Sequence, residues 1–62
     1  MPIITVALWK GRSTEQKTKL VEQVTKVTSE ALNVGLEEVI VILQEYSKGN
    51  WAIGGKLSST HK

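Results

Sequence analysis

The chain alternates short apolar runs with one long amphipathic stretch. Ile3-Ile4-Thr5-Val6-Ala7-Leu8-Trp9 is rich in β-branched residues and is broken by Lys10-Gly11, which predicts a strand. Pro2 at its head is tolerated, because a first residue need not donate to the ladder. Ser13-Thr14-Glu15-Gln16 is a capping-box pattern, with the Ser13 hydroxyl and the Gln16 side chain placed to bond reciprocally. A helix is predicted from about Thr14 to Leu32. Leu20, Val21, Val24, Val27, Ala31 and Leu32 form its apolar stripe, at spacings that face one sheet. Lys17, Lys19, Glu22, Gln23, Lys26 and Glu30 populate the solvent side. Asn33-Val34-Gly35 supplies the stop, with Asn33 or Gly35 able to turn left-handed. Val39-Ile40-Val41-Ile42-Leu43 is continuously apolar, as a parallel strand covered on both faces is. Glu45 to Lys48 are expected to leave that strand, and Gly49-Asn50 to turn. Trp51-Ala52-Ile53-Gly54-Gly55 reads as a compact hairpin or loop, and Lys56 to Lys62 as a loosely held polar tail.

Strand, helix and strand make a βαβ unit of the α/β (α+β) class, one domain over residues 1–62, with a right-handed crossover. Two strands and one helix cannot close a core. The helix covers one sheet face, and the other face and an edge must find protein. Two chains paired edge to edge give a four-stranded sheet with two helices on one side. The apolar side left open then calls for further assembly.

Size points the same way. A domain of 62 residues buries only about 60% of its unfolded-chain surface. Folds this small lean on disulfides, metal or oligomerisation. There is no cysteine, which excludes disulfides and thiolate metal sites. The single histidine, His61, cannot form a ligand cluster by itself, so neither metal nor cofactor is expected. With 40% apolar residues the chain is too hydrophobic for a disordered peptide. An obligate oligomer is the remaining route.

The net charge of +2 comes from eight basic and six acidic residues, interspersed without a block of one sign. That reads as a solvated surface with weak attraction for small anions, and gives no footprint for nucleic acid. No apolar run is long enough to span a membrane, and the N-terminus lacks the regions of a signal peptide. A cytoplasmic location is expected. The glycines form no phosphate loop.

The chemistry on offer lies at the front of the chain. Met1 stands before a small residue, the context in which the initiator is usually removed. Removal leaves Pro2 with a free secondary amine on a rigid ring, a base or nucleophile that needs no cysteine, metal or cofactor.

Met1-Pro2-Ile3, then Gly11-Arg12-Ser13 with Glu15-Gln16-Lys17, and finally Gly49-Asn50-Trp51-Ala52-Ile53-Gly54-Gly55 resemble, in order and spacing, the 4-oxalocrotonate tautomerase family. The resemblance covers essentially the whole chain. It implies a homohexamer built as a trimer of dimers, with active sites lined by more than one subunit. It implies a cofactor-independent enol–keto tautomerase, an isomerase of small anionic 2-hydroxydienoates or 2-oxo acids, with Pro2 as general acid/base. Burial and a nearby guanidinium would keep that amine neutral. Arg12, the sole arginine, is the implied catalytic cation, its fork matched to a substrate carboxylate. Trp51 takes the family's aromatic wall position. Trp9 stands where the family often has a smaller aliphatic residue, and serves either the pocket or subunit packing. Ile3 and Ile53 are expected as apolar lining or core.

One position departs from the pattern. Efficient members carry a second arginine in the middle of the second strand, and Ile40 aligns there. Loss of such a donor commonly costs on the order of 10²-fold in rate. Lys10 or Lys48 of a neighbouring subunit are the candidates to replace it. Dehalogenating relatives place an acid near Ile53, where this chain has none, and Glu45 reads as a surface or interface partner. The alternative to an enzyme is a catalytically decayed scaffold or binding module of the same fold.

Overall fold

The computed structural model describes residues 1–60, so the expectations for His61 and Lys62 lie outside the described residues. Strand β1 runs Ile3–Trp9, helix α1 Thr14–Leu32 and strand β2 Ile40–Tyr46, followed by a two-stranded hairpin of β3, Ala52–Ile53, and β4, Lys56–Leu57. Short 3-10 turns occupy Leu36–Glu38, Lys48–Asn50 and Ser58–Thr60. Strands β1 and β2 pair in parallel from Ile3↔Ile40 to Trp9↔Tyr46. This is the βαβ unit with a C-terminal hairpin read from the sequence, at the same bounds for β1 and α1.

The helix begins as its residues dictate. The Ser13 hydroxyl accepts from the Gln16 N–H at 3.1 Å, and the Gln16 side chain accepts from the Ser13 N–H at 3.0 Å. It ends on Asn33, which takes the left-handed conformation (φ 55°, ψ 49°), and the Val34 N–H closes back on the Ser29 carbonyl at 3.1 Å.

Three expectations need correction. First, Glu45 and Tyr46 stay in β2, because the ladder runs to the full length of β1 and the Lys10 N–H bonds the Tyr46 carbonyl at 2.9 Å. Second, the polar stretch after Gly55 is not a loose tail over its described part. Lys56 and Leu57 pair with Ile53 and Ala52, and Ser58 is buried with its N–H bonded to the Trp51 carbonyl at 2.7 Å. The two-residue Gly54-Gly55 turn imposes this: both glycines have positive φ, 61° and 83°, as a tight hairpin of this kind requires. Third, the helix stripe is rotated. Leu20, Val21 and Val24 are half-buried as expected, but so are Lys17, Thr25, Thr28 and Ser29, whereas Val27, Ala31 and Leu32 are exposed. Lys17 lies against the sheet because its ammonium meets the Glu45 carboxylate at 3.2 Å.

Burial alternates along both strands. Ile4, Val6, Leu8, Val41 and Leu43 are half-buried on the face towards the helix, and Ile3, Ile40 and Ile42 are exposed on the other. Among the described residues no hydrophobic side chain is fully buried. The molecule is a plate of 43 × 24 × 13 Å with apolar surface on its open side. An isolated plate of this kind forgoes most of the burial that holds a domain together, so its stability has to come from contact with further protein. Among the described residues no helix is long and apolar enough to cross a membrane.

Candidate functional site

The candidate residues fall into two clusters at opposite ends of β1. The first is formed by Pro2, Ile3 and Ile40. Pro2 is half-buried, and its carbonyl accepts the first sheet bond, from the Ile40 N–H at 3.0 Å. Ile3 pairs with Ile40 across the ladder, and both side chains stand on the uncovered face, 59% and 38% exposed. The proline is thus tied to the sheet through its carbonyl.

The second cluster lies at the far end of the same strand. Trp9 and Trp51 meet edge to face with ring centroids 5.9 Å apart, and Tyr46 adds a tilted contact to Trp51 at 6.3 Å. The Lys48 ammonium sits over the Trp9 ring, 4.8 Å from its centroid. The Trp9 indole N–H is buried without a hydrogen-bond partner. Arg12 follows Gly11, whose φ of 115° makes the sharp exit from β1, and it projects into solvent just before the helix cap. Ile53 lies in the hairpin beyond Trp51 and is 63% exposed.

The strand between these clusters decides what one chain can do. Seven residues at about 3.3 Å each separate the ends by roughly 23 Å, far beyond the reach of a small acid. Pro2 and Arg12 of one protomer therefore cannot touch one substrate. Any site that uses both draws them from different copies.

Tyr46 and Lys48 escaped the reading of the sequence as parts of the aromatic cluster. The signal for Tyr46 was present: the every-second-residue pattern Ile40, Ile42, Gln44, Tyr46 continues to the residue opposite Trp9. The placement of Lys48 depends on the 3-10 turn after β2 and leaves no sequence pattern. Glu45 has a partner in its own chain, Lys17. Two shallow grooves flank α1, one of about 470 Å³ along Val21, Thr25 and Leu36, the other of about 270 Å³ along Leu20, Val24 and Val27. Neither contains a residue of the two clusters.

Comparison with known proteins bears on the family and the fold. The sequence profile described as tautomerase enzyme matches residues 2–61. A probable tautomerase of Bacillus cereus is 43% identical over 56 residues, spanning 90% of this chain and 92% of that one. A 2-hydroxymuconate tautomerase of Pseudomonas putida is 42% identical over 59 residues, spanning 95% and 94%. Among solved structures, a heterohexameric 4-oxalocrotonate tautomerase from Chloroflexus aurantiacus superposes with a TM-score of 0.95 at 32% identity, covering all of both chains.

Proposed function

We propose, because this chain belongs to the tautomerase family and is an isomerase of the 2-hydroxymuconate tautomerase kind, that it moves a proton between oxygen and carbon of small enol acids with Pro2 as the base. The observation that carries this is the position of Pro2. It heads β1, half-buried and anchored through its carbonyl to Ile40, and the family profile begins at this residue.

The chemistry follows from the groups available. Once Met1 is removed, the Pro2 nitrogen is a secondary amine with a lone pair. It accepts the proton of a 2-hydroxyl group as the enol collapses to a ketone, and returns a proton to a carbon of the same substrate. Nothing is gained or lost overall. A single base serves both transfers, and apolar neighbours favour the uncharged amine. Arg12 supplies a forked donor for the substrate carboxylate, which fixes the reacting carbon over the amine. The Trp9–Trp51 pair excludes water at the Arg12 end, and Ile3, Ile40 and Ile53 provide apolar lining.

The length of β1, roughly 23 Å with Pro2 before one end and Arg12 after the other, supports a site shared between copies. The exposed face bearing Ile3, Ile40 and Ile42 supports burial of that face in the same assembly. A homohexamer arranged as a trimer of dimers, working in the cytoplasm, accommodates both. A second reading, a non-catalytic oligomeric scaffold, is favoured by Ile40, an apolar residue where a second cation would assist the reaction.

Steady-state kinetics on 2-hydroxymuconate and phenylenolpyruvate decide between them, with the mature N-terminus verified by mass spectrometry. Pro2→Ala is expected to lose most activity and Arg12→Ala chiefly to weaken binding. Wild-type rates in the Pro2 variant eliminate the mechanism. Absence of turnover in the correctly processed wild type leaves the scaffold.

A further inference from the structure

We infer that Glu45 is a positioning residue for Arg12, acting through Lys17 and the first turn of α1. This rests on the tautomerase reading, in which the Arg12 guanidinium holds the substrate carboxylate, and adds to it what sets the place of that guanidinium.

The Arg12 side chain is exposed and has no hydrogen-bond or ion-pair partner among the described residues. Within its own chain, only the backbone that carries it decides where it stands. That backbone is a short loop. Gly11 and Arg12 alone lie between Lys10, whose N–H bonds the Tyr46 carbonyl at 2.9 Å, and Ser13, the helix cap. No atom lies within 4 Å of where a side chain at Gly11 would begin, so packing does not steady the loop from within.

The two ends of the loop are tied to consecutive residues of β2. One tie is the bond from Lys10 to Tyr46. The other runs through the helix: the Lys17 N–H bonds the Ser13 carbonyl at 3.0 Å, and the Lys17 ammonium meets the Glu45 carboxylate at 3.2 Å. Apolar packing does not duplicate this second tie. From Thr14 to Lys19 every residue but Lys17 is exposed, and the first half-buried apolar residue of α1 is Leu20. Among the described residues, Lys17–Glu45 is the only side-chain hydrogen bond between α1 and the sheet. Without it, the first turn of α1 is free to lift from the end of β2, and Ser13 and Arg12 shift with it. A forked contact to a carboxylate depends on such placement.

Steady-state kinetics on phenylenolpyruvate, with the assembled and N-terminally processed protein, test this. Glu45→Gln keeps the size of the side chain and removes its charge. It is expected to raise KM about threefold at unchanged kcat, the scale set by an ion pair whose side chains are each 30% exposed. Lys17→Met is expected to do the same, and Lys17→Arg, which keeps the charge, to match the wild type. In the Arg12→Ala background, Glu45→Gln is expected to leave kcat/KM unchanged, because the group it positions is gone. Three results overturn the inference and leave the tautomerase reading intact: a wild-type KM in Glu45→Gln, a fall in kcat at unchanged KM, or the same loss repeated in the Arg12→Ala background. Loss of assembly in both Glu45→Gln and Lys17→Met also overturns it, since the pair then serves subunit contact; where only one fails to assemble, the other decides. Failure of the processed wild type to turn over any enol acid overturns the tautomerase reading itself.

Discussion

The Ile40 N–H donates to the Pro2 carbonyl at 3.0 Å, so the second strand is tied to the residue proposed as the base. This bond fixes the proline ring without using its nitrogen. Anything that acylates that nitrogen leaves this bond in place and removes the proposed base. A form that retains Met1, or an uncleaved N-terminal extension, is therefore expected to assemble normally and to lose about 10²-fold or more in kcat. Pro2→Ala is expected to fall in the same range. Mass spectrometry of the terminus beside steady-state kinetics checks both.

Arg12 stands at the other end of β1, and its proposed role is to hold a carboxylate. Its replacement by alanine removes a charge-assisted, two-pronged contact and is expected to raise KM about tenfold or more. A drop in kcat with KM unchanged would instead place Arg12 in the proton-transfer step alone.

Mixing the two variants probes where the site lies. If Pro2 and Arg12 of one site come from different copies, random co-assembly of equal amounts of Pro2→Ala and Arg12→Ala chains restores both groups in about a quarter of sites. If one copy supplied both, no site would recover. Activity of refolded mixtures, measured against each variant alone, separates the outcomes.

Two stability measurements follow from the packing. The described residues bury no hydrophobic side chain completely, so the melting temperature is expected to rise with protein concentration, as it does for folds completed by their partners. Within the chain, the Trp9–Trp51 contact at 5.9 Å contributes about 1 kcal/mol beyond the area it covers, and Trp51→Ala is expected to lose at least that much. The Lys17–Glu45 pair, with each side chain 30% exposed, is worth less than about 1 kcal/mol, and its contribution is expected to fade in high salt.

Much of this architecture can be read directly from the residues. The Ser13 and Gln16 cap and the Asn33 stop bound the helix because each signal acts within a few residues of itself. The β-branched run defines β1 for the same reason. Sequence pattern misplaced what depends on distant partners. The length of β2 is set by pairing with Trp9, which holds Glu45 and Tyr46 in the ladder despite their polarity. The face that the helix turns to the sheet includes Lys17, whose partner Glu45 is 28 residues away in sequence and is not visible in the local pattern. Lys56 and Leu57 look like tail until the Gly54-Gly55 turn folds them back onto Ile53 and Ala52. For the candidate site, the motif names its members and the length of β1 already sets Pro2 and Arg12 apart, whereas the contacts of Tyr46 and Lys48 with the tryptophans emerge only from the fold.

Separation of those two groups along one strand has a consequence for how the gene behaves. A cell that makes a little of this polypeptide does not obtain a little of its output. With the site shared between copies as proposed, below the threshold for self-association there are two half-sites and no reaction, and above it the yield climbs steeply with dosage. By the same logic two alleles with defects in different halves of the site can rescue one another, since each faulty copy still lends its sound half to a neighbour.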